Sequence, residues 1–179
     1  MSSQFPNPLT TVGGDLFDIG FEGQVIDQEP SQIDSFTNTG TLAMDFGVLA
    51  VRDTADRSCK QMAADGDQQL GIVVRNPLRP ASTDGNNTVT YKQYDSVPVL
   101  RDGVIVVRAA EAVRRGDQVL ALTAGGAGNT SLGSFGGSQG GVAGSGRVDM
   151  IGAVWEDTVA SGKLGRIRIK SVGTRRTTT

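Results

Sequence analysis

Short aliphatic runs separated by Gly, Pro, Asp and Asn set the pattern of this chain. Phe46-Gly47-Val48-Leu49-Ala50-Val51 and Leu70-Gly71-Ile72-Val73-Val74 are largely apolar on both faces of an extended strand. Thr88-Val89-Thr90-Tyr91 alternates β-branched residues behind the turn cluster Asp84–Asn87. Gln118–Leu122 and the run from Val148 to Trp155 read as two more strands. Around Leu164, Ile167 and Ile169 the apolar positions alternate with Arg166, Arg168 and Lys170, the mark of one buried and one wet face. Val97-Pro98-Val99-Leu100, then Arg101-Asp102-Gly103, then Val104–Val107 predicts a hairpin, because Asp-Gly supplies the positive φ of a tight turn. Pro98 lacks an amide donor, which predicts an edge or bulged position for its strand. Ala109–Val113 predicts one helical turn at most. The expected fold is all-β, a small β-barrel or jelly-roll-like sandwich.

Three segments lie outside this pattern. Residues 1–41 are polar, carry Pro6, Pro8 and Pro30, and hold Phe5, Phe17, Phe21 and Phe36 at wide spacing. They predict an extended N-terminal arm. Residues 42–173 form the expected β-barrel domain. Within it, 123–146 is Gly/Ser-rich, with Leu132, Phe135 and Val142 as its large apolar residues, and reads as a long flexible loop. Residues 174–179 read as a flexible tail.

Composition narrows the chemistry. The chain has no His, which removes the commonest general base and metal ligand. Its single Cys allows neither an intrachain disulfide nor a thiolate metal cage. Lys plus Arg is 17 against 19 for Asp plus Glu, a net charge of -2, which gives no global attraction to nucleic acid. No run of about 18 apolar residues predicts a membrane span. The first residues show neither a basic segment nor an apolar core of a secretory signal, so synthesis in a cytoplasm is expected.

Candidate motifs resolve into plain structure. Gly162-Lys163 lacks the upstream glycine of a phosphate loop, and Gly126 and Gly128 are followed by Ser131 where a dinucleotide fingerprint wants a third glycine. Arg115-Gly116-Asp117 reads as a turn into a strand. Asp15, Asp18, Asp65 and Asp67 read as solvated loop carboxylates, Cys59 as packed, and Trp155 as core or interface. Asn86-Asn87-Thr88 and Asn129-Thr130-Ser131 match a glycosylation acceptor that matters only in a secreted chain. No catalytic residue, metal ligand or cofactor is expected. A structural or binding role follows.

In order along the chain, several pieces resemble one family. They are Gly23-Gln24-Val25-Ile26-Asp27 with Pro30 and Ile33-Asp34-Ser35, Phe46–Val51, Leu70–Arg75, Tyr91–Val107, Gly116-Asp117-Gln118-Val119, Ile151–Val154, and Ala160–Leu164 with Arg166–Ile169. Together they are similar to the structural cement, or capsid decoration, proteins of tailed bacteriophages. Two features depart from the family's pattern: the Gly-rich stretch from Thr123 to Gly146, which is longer than usual, and the extended N-terminus. The resemblance implies a non-enzymatic virion protein on the outside of an icosahedral head. It would clamp neighbouring major capsid proteins against the pressure of packaged DNA, as a homodimer or homotrimer at local symmetry axes, without nucleic-acid or membrane partners. Phe5, Phe17, Phe21, Phe36, Leu132 and Phe135 are the expected capsid or subunit contacts. The alternative is a tail, baseplate or host-surface-binding virion protein, against which one Trp and two Tyr count. A third reading, a small β-barrel hydrolase with paired Asp residues, lacks a marked carboxylate pair.

Overall fold

A computed structural model of the chain describes residues 20–26, 30–62, 67–76, 90–123, 133–137 and 146–170. Nine strands are found among them: β1 (Gln32–Asn38), β2 (Leu49–Arg52), β3 (Ser58–Gln61), β4 (Gln69–Val73), β5 (Ser96–Arg108), β6 (Gln118–Leu122), β7 (Phe135–Gly137), β8 (Arg147–Trp155) and β9 (Leu164–Ile169). The all-β expectation holds. The predicted helical turn at Ala109–Val113 is instead a bend held by two bridges, Ala109 to Phe135 and Val113 to Val159.

The strands follow the order β1-β3-β2-β4-β5-β9-β8-β6-β7, and β1 also pairs with β5. That extra pairing closes β1, β3, β2, β4 and β5 into a small barrel. The sheet continues past β5 through β9, β8, β6 and β7, and the bridge from Phe135 of β7 to Ala109, just beyond β5, brings its far end back. Strand β5 therefore belongs to both halves.

This sharing overturns the predicted hairpin. Ser96–Arg108 is one continuous strand, and Arg101-Asp102-Gly103 bends it rather than reversing it. Opposite β1, Gln32 pairs with Asp102 and Ile33 with Leu100, so Arg101 is an extra, bulged residue. The bulge switches the side-chain phase. Val97 and Val99 point into one core with Ala50, Cys59 and Val73. Beyond it Ile105 and Val107 point into the other, with Leu49, Ile72, Leu100, Phe135, Trp155 and Ile167. Gly103 sits at φ 130°, a conformation costly for any residue with a Cβ. The apolar runs at β2 and β4 are apolar on both faces because the two cores flank them: Leu49, Val51 and Ile72 join one, Ala50 and Val73 the other.

Pro98 is not on an edge. Its strand lies between β1 and β4, with Ser35 opposite Pro98 on one side and Val73 opposite Val99 on the other. Val74 donates its amide to the Pro98 carbonyl at 2.8 Å. In an antiparallel ladder the return bond would run from residue 98 to the Val74 carbonyl, which proline cannot donate. The buried Tyr91 hydroxyl donates to that carbonyl instead, at 2.9 Å.

The arm expected over 1–41 is part of the fold from Gly20 onward. Gly23 and Ile26 donate to the carbonyls of Val106 and Val104, and Val106 donates back to Gln24, so the segment lines the edge of β5 that β9 leaves free. Residues 32–38 are the barrel strand β1. The Gly-rich stretch likewise holds a strand, β7, with Phe135 fully buried.

Candidate interaction surface

Two exposed apolar sites stand out among the described residues. The first is a groove of about 520 Å³ lined in part by Phe21, Val25, Ile33, Val74 and Arg75. Its wall is a tight turn. Gln24 donates its amide to the Phe21 carbonyl at 2.9 Å, and its side-chain oxygen accepts the Phe21 amide at 3.0 Å. Gly23, at φ 78°, permits the turn and accepts the Arg75 amide at 2.8 Å. The Arg75 guanidinium thus lies 4.7 Å from the Phe21 ring centre and 5.6 Å from that of Phe46, a cation–π arrangement. Phe21 remains 62% exposed and Ile33 45%.

The second site is one end of the small barrel, where Leu42 (57% exposed) and Tyr94 (74%) project. Asn38 builds it. Buried completely, it donates its side-chain amide to the carbonyls of Leu42 and Tyr91, both at 3.1 Å, and accepts the Gly40 amide at 3.1 Å. Its backbone carbonyl accepts the Tyr94 amide at 2.6 Å. The turn is closed by Asp95, whose carboxylate accepts the Lys92 amide at 2.6 Å. Tyr94 sits at φ 68°, a backbone state costing a non-glycine residue about 1–3 kcal/mol. Backbone strain and a largely exposed aromatic side chain thus coincide at Tyr94.

Of the residues expected to make contacts, Phe21 is at the groove. Phe36 is half-buried against the barrel core, and Phe135 is wholly within the larger core. Phe135 has no surface to offer a partner: strand β7 turns it inward, opposite Ala121. Phe5, Phe17 and Leu132 lie outside the described residues. Sequence reasoning missed Ile33, Leu42, Arg75 and Tyr94 as surface contacts: Ile33 and Tyr94 are lone large side chains among polar neighbours, while Leu42 and Arg75 adjoin apolar runs that draw the eye to the core.

The remaining motifs are structural. Gly116 sits at φ 88°, and the Asp117 carboxylate accepts the Arg114 amide at 2.8 Å, so Arg115-Gly116-Asp117 is a turn. The Trp155 indole donates to the Gly136 carbonyl at 2.9 Å inside the core. Burial, reinforced by Asp53, pushes the Cys59 thiol up to about 12, so it stays protonated and unreactive at neutral pH. Glu22 is also raised, chiefly by burial, although Arg108 at 3.3 Å opposes the shift. Asp157 is lowered, first by its hydrogen bonds from Arg166. Arg168 pairs with Glu156, so the cations alternating along β9 are held by carboxylates following β8.

The sequence model of the structural cement proteins (E217 gp24/Pam3 gp6) matches residues 9–170. This chain belongs to the phage structural cement protein family. A solved chain from the capsid of Myoviridae phage XM1 is similar, with a TM-score of 0.64 at 18% identity, covering 86% of this chain and 92% of that one. At that identity the likeness concerns the fold, a small closed β-barrel with added strands. No curated protein sequence matches the chain. The match to the cement family reaches back to residue 9, so it includes sequence upstream of the groove.

Proposed function

We propose that this cement protein binds the outer surface of an icosahedral phage head and clamps neighbouring major capsid proteins together against the pressure of packaged DNA. Membership of the cement family over nearly the whole chain carries this reading. The two exposed apolar sites support it, because they are separately built and give each neighbour, a capsid protein or a second copy of the chain, its own surface. Bridging two subunits makes the second contact effectively intramolecular, so modest interfaces hold firmly. Binding only the assembled lattice stabilises it by mass action. The work is adhesive and needs no catalytic group or cofactor. Small symmetric oligomers, dimers or trimers, would match the repeated lattice. Phe5, Phe17, Phe21 and Phe36 are proposed as apolar anchors, joined by Ile33, Leu42 and Tyr94.

Counting the protein in purified virions tests this. On the order of several hundred copies per particle is expected for an additive that follows lattice symmetry. A handful of copies would place it in the tail and end the proposal. Tyr94→Ala together with Leu42→Ala should reduce capsid occupancy while leaving the isolated protein folded.

A further inference from the structure

We infer that the groove walled by Phe21 and Arg75 receives the acidic, apolar N-terminal segment, residues 9–19, of a second copy of this chain, so that copies are laced together by exchanged arms. Three observations carry the inference. The first is the groove itself, where Phe21 and Ile33 leave much of their apolar surface to solvent. The second is charge. Arg75 is held over Phe21 by stacking, and among the described residues no carboxylate pairs with it. Residues 1–19 hold Asp15 and Asp18, no Lys and no Arg, interleaved with Val12, Leu16, Phe17 and Ile19. That segment therefore has both the apolar side chains to cover the groove and the charge opposite to Arg75.

The third is reach. The segment joins the described fold at Gly20, at the rim of this groove. Nineteen residues can extend about 65 Å, enough to cross onto a neighbouring copy. A second copy fits better than the chain's own arm. Only Gly20, at φ 84°, separates Leu16–Ile19 from Phe21, which is itself a wall, so lying in their own groove would require the whole reversal at that one residue. From another copy they meet no such restriction, and mutual exchange about a two-fold axis satisfies both grooves at once.

The test uses the full-length protein without capsids, so it stands or falls separately from head binding. Phe17→Cys and Ile33→Cys are made as separate variants, mixed, and oxidised under mild conditions. The native Cys59 is buried and stays out of the reaction. Mass spectrometry is expected to find a 17–33 disulfide between two chains. Arg75→Glu in the Ile33→Cys partner should slow its formation about tenfold, and Asp15→Arg with Asp18→Arg on the Phe17→Cys partner should restore it. Trp155 fluorescence checks that each variant is folded. Should Ile33→Cys fail that check, Ser31→Cys, on the same groove, replaces it. Absence of the bridge from folded mixtures overturns the inference. So does a 17–33 bridge confined within one chain when both cysteines are placed together, or a rate indifferent to the charge swap.

Discussion

Tyr91 shows how one proline is accommodated inside a sheet. Its ring packs edge-on against Phe46 at 5.4 Å, and its hydroxyl supplies the donor that Pro98 cannot give to Val74. Tyr91→Phe keeps the packing and removes the donor, leaving a buried carbonyl without its partner. A loss of about 1–3 kcal/mol in unfolding free energy is expected by denaturant titration. Replacing Pro98 by Val restores a backbone amide facing the same carbonyl. The double variant Tyr91→Phe/Pro98→Val should therefore lose less than the two single losses summed. Simple additivity would show that the two donors do not substitute for each other. Neither partner was legible alone: Pro98 announced a missing donor, but only the register brings Tyr91 to the gap.

The strands depend on glycines of two different kinds. A Cβ on Gly71 would lie 2.1 Å from the Leu100 carbonyl oxygen, where β4 crosses close to β5. Backbone cannot step aside there. A Cβ on Gly136 would lie 2.3 Å from Glu111 Oε1, the end of a side chain that can move. Glu111 is not idle, however. It accepts the Gly137 amide at 3.1 Å and both Arg147 guanidinium nitrogens at 2.9 Å, tying β7 to the start of β8 at the base of the Gly-rich segment. Gly71→Ala is expected to lose at least about 3 kcal/mol. Gly136→Ala should lose roughly 1 kcal/mol, and almost nothing in a Glu111→Ala background, because the displaced clamp is already gone. Thermal melts of the four proteins decide this, and an equal loss in both backgrounds would refute the clamp. From sequence, 123–146 is uniformly glycine-rich. Phe135 stands out there only as one of three large apolar residues, and nothing local marks Phe135–Gly137 as a strand, where glycine lets β7 pack beside Glu111 and Val113. Strand β1 was hidden for the opposite reason. Gln32, Asp34, Ser35, Thr37 and Asn38 mask the period of two, since the strand is mostly exposed, with Asn38 buried and Phe36 half-buried against the barrel core.

The two cores share β5, and this sets how the molecule unfolds. Trp155 lies in the larger core and Cys59 in the smaller. Val99 and Leu100, adjacent residues of one strand, point into different cores. Neither half can lose β5 without exposing the other. Trp155 fluorescence and Cys59 thiol labelling should therefore follow one transition with the same denaturant midpoint. Separate midpoints would show that the barrel and the added sheet are independent units. The same sharing suits a clamp, because force applied at the Tyr94 end is carried into the larger core along a continuous strand.

What the amino-acid sequence determined by itself was local and compositional. Strand type, the absence of histidine chemistry, and the ordered pieces of a cement protein follow from neighbouring residues and need no partner strand. Only the tertiary structure decided that Asp102-Gly103 bends a strand instead of closing a hairpin, that part of the arm is barrel, that Phe135 is core, that Tyr94 is exposed, and that Arg75 stacks on Phe21. Each of these depends on which distant segment lies opposite, as Gln32 does opposite Asp102 and Glu111 beside Gly136. A bulge or a burial is a property of such a pair, and its two members stand many residues apart along the chain.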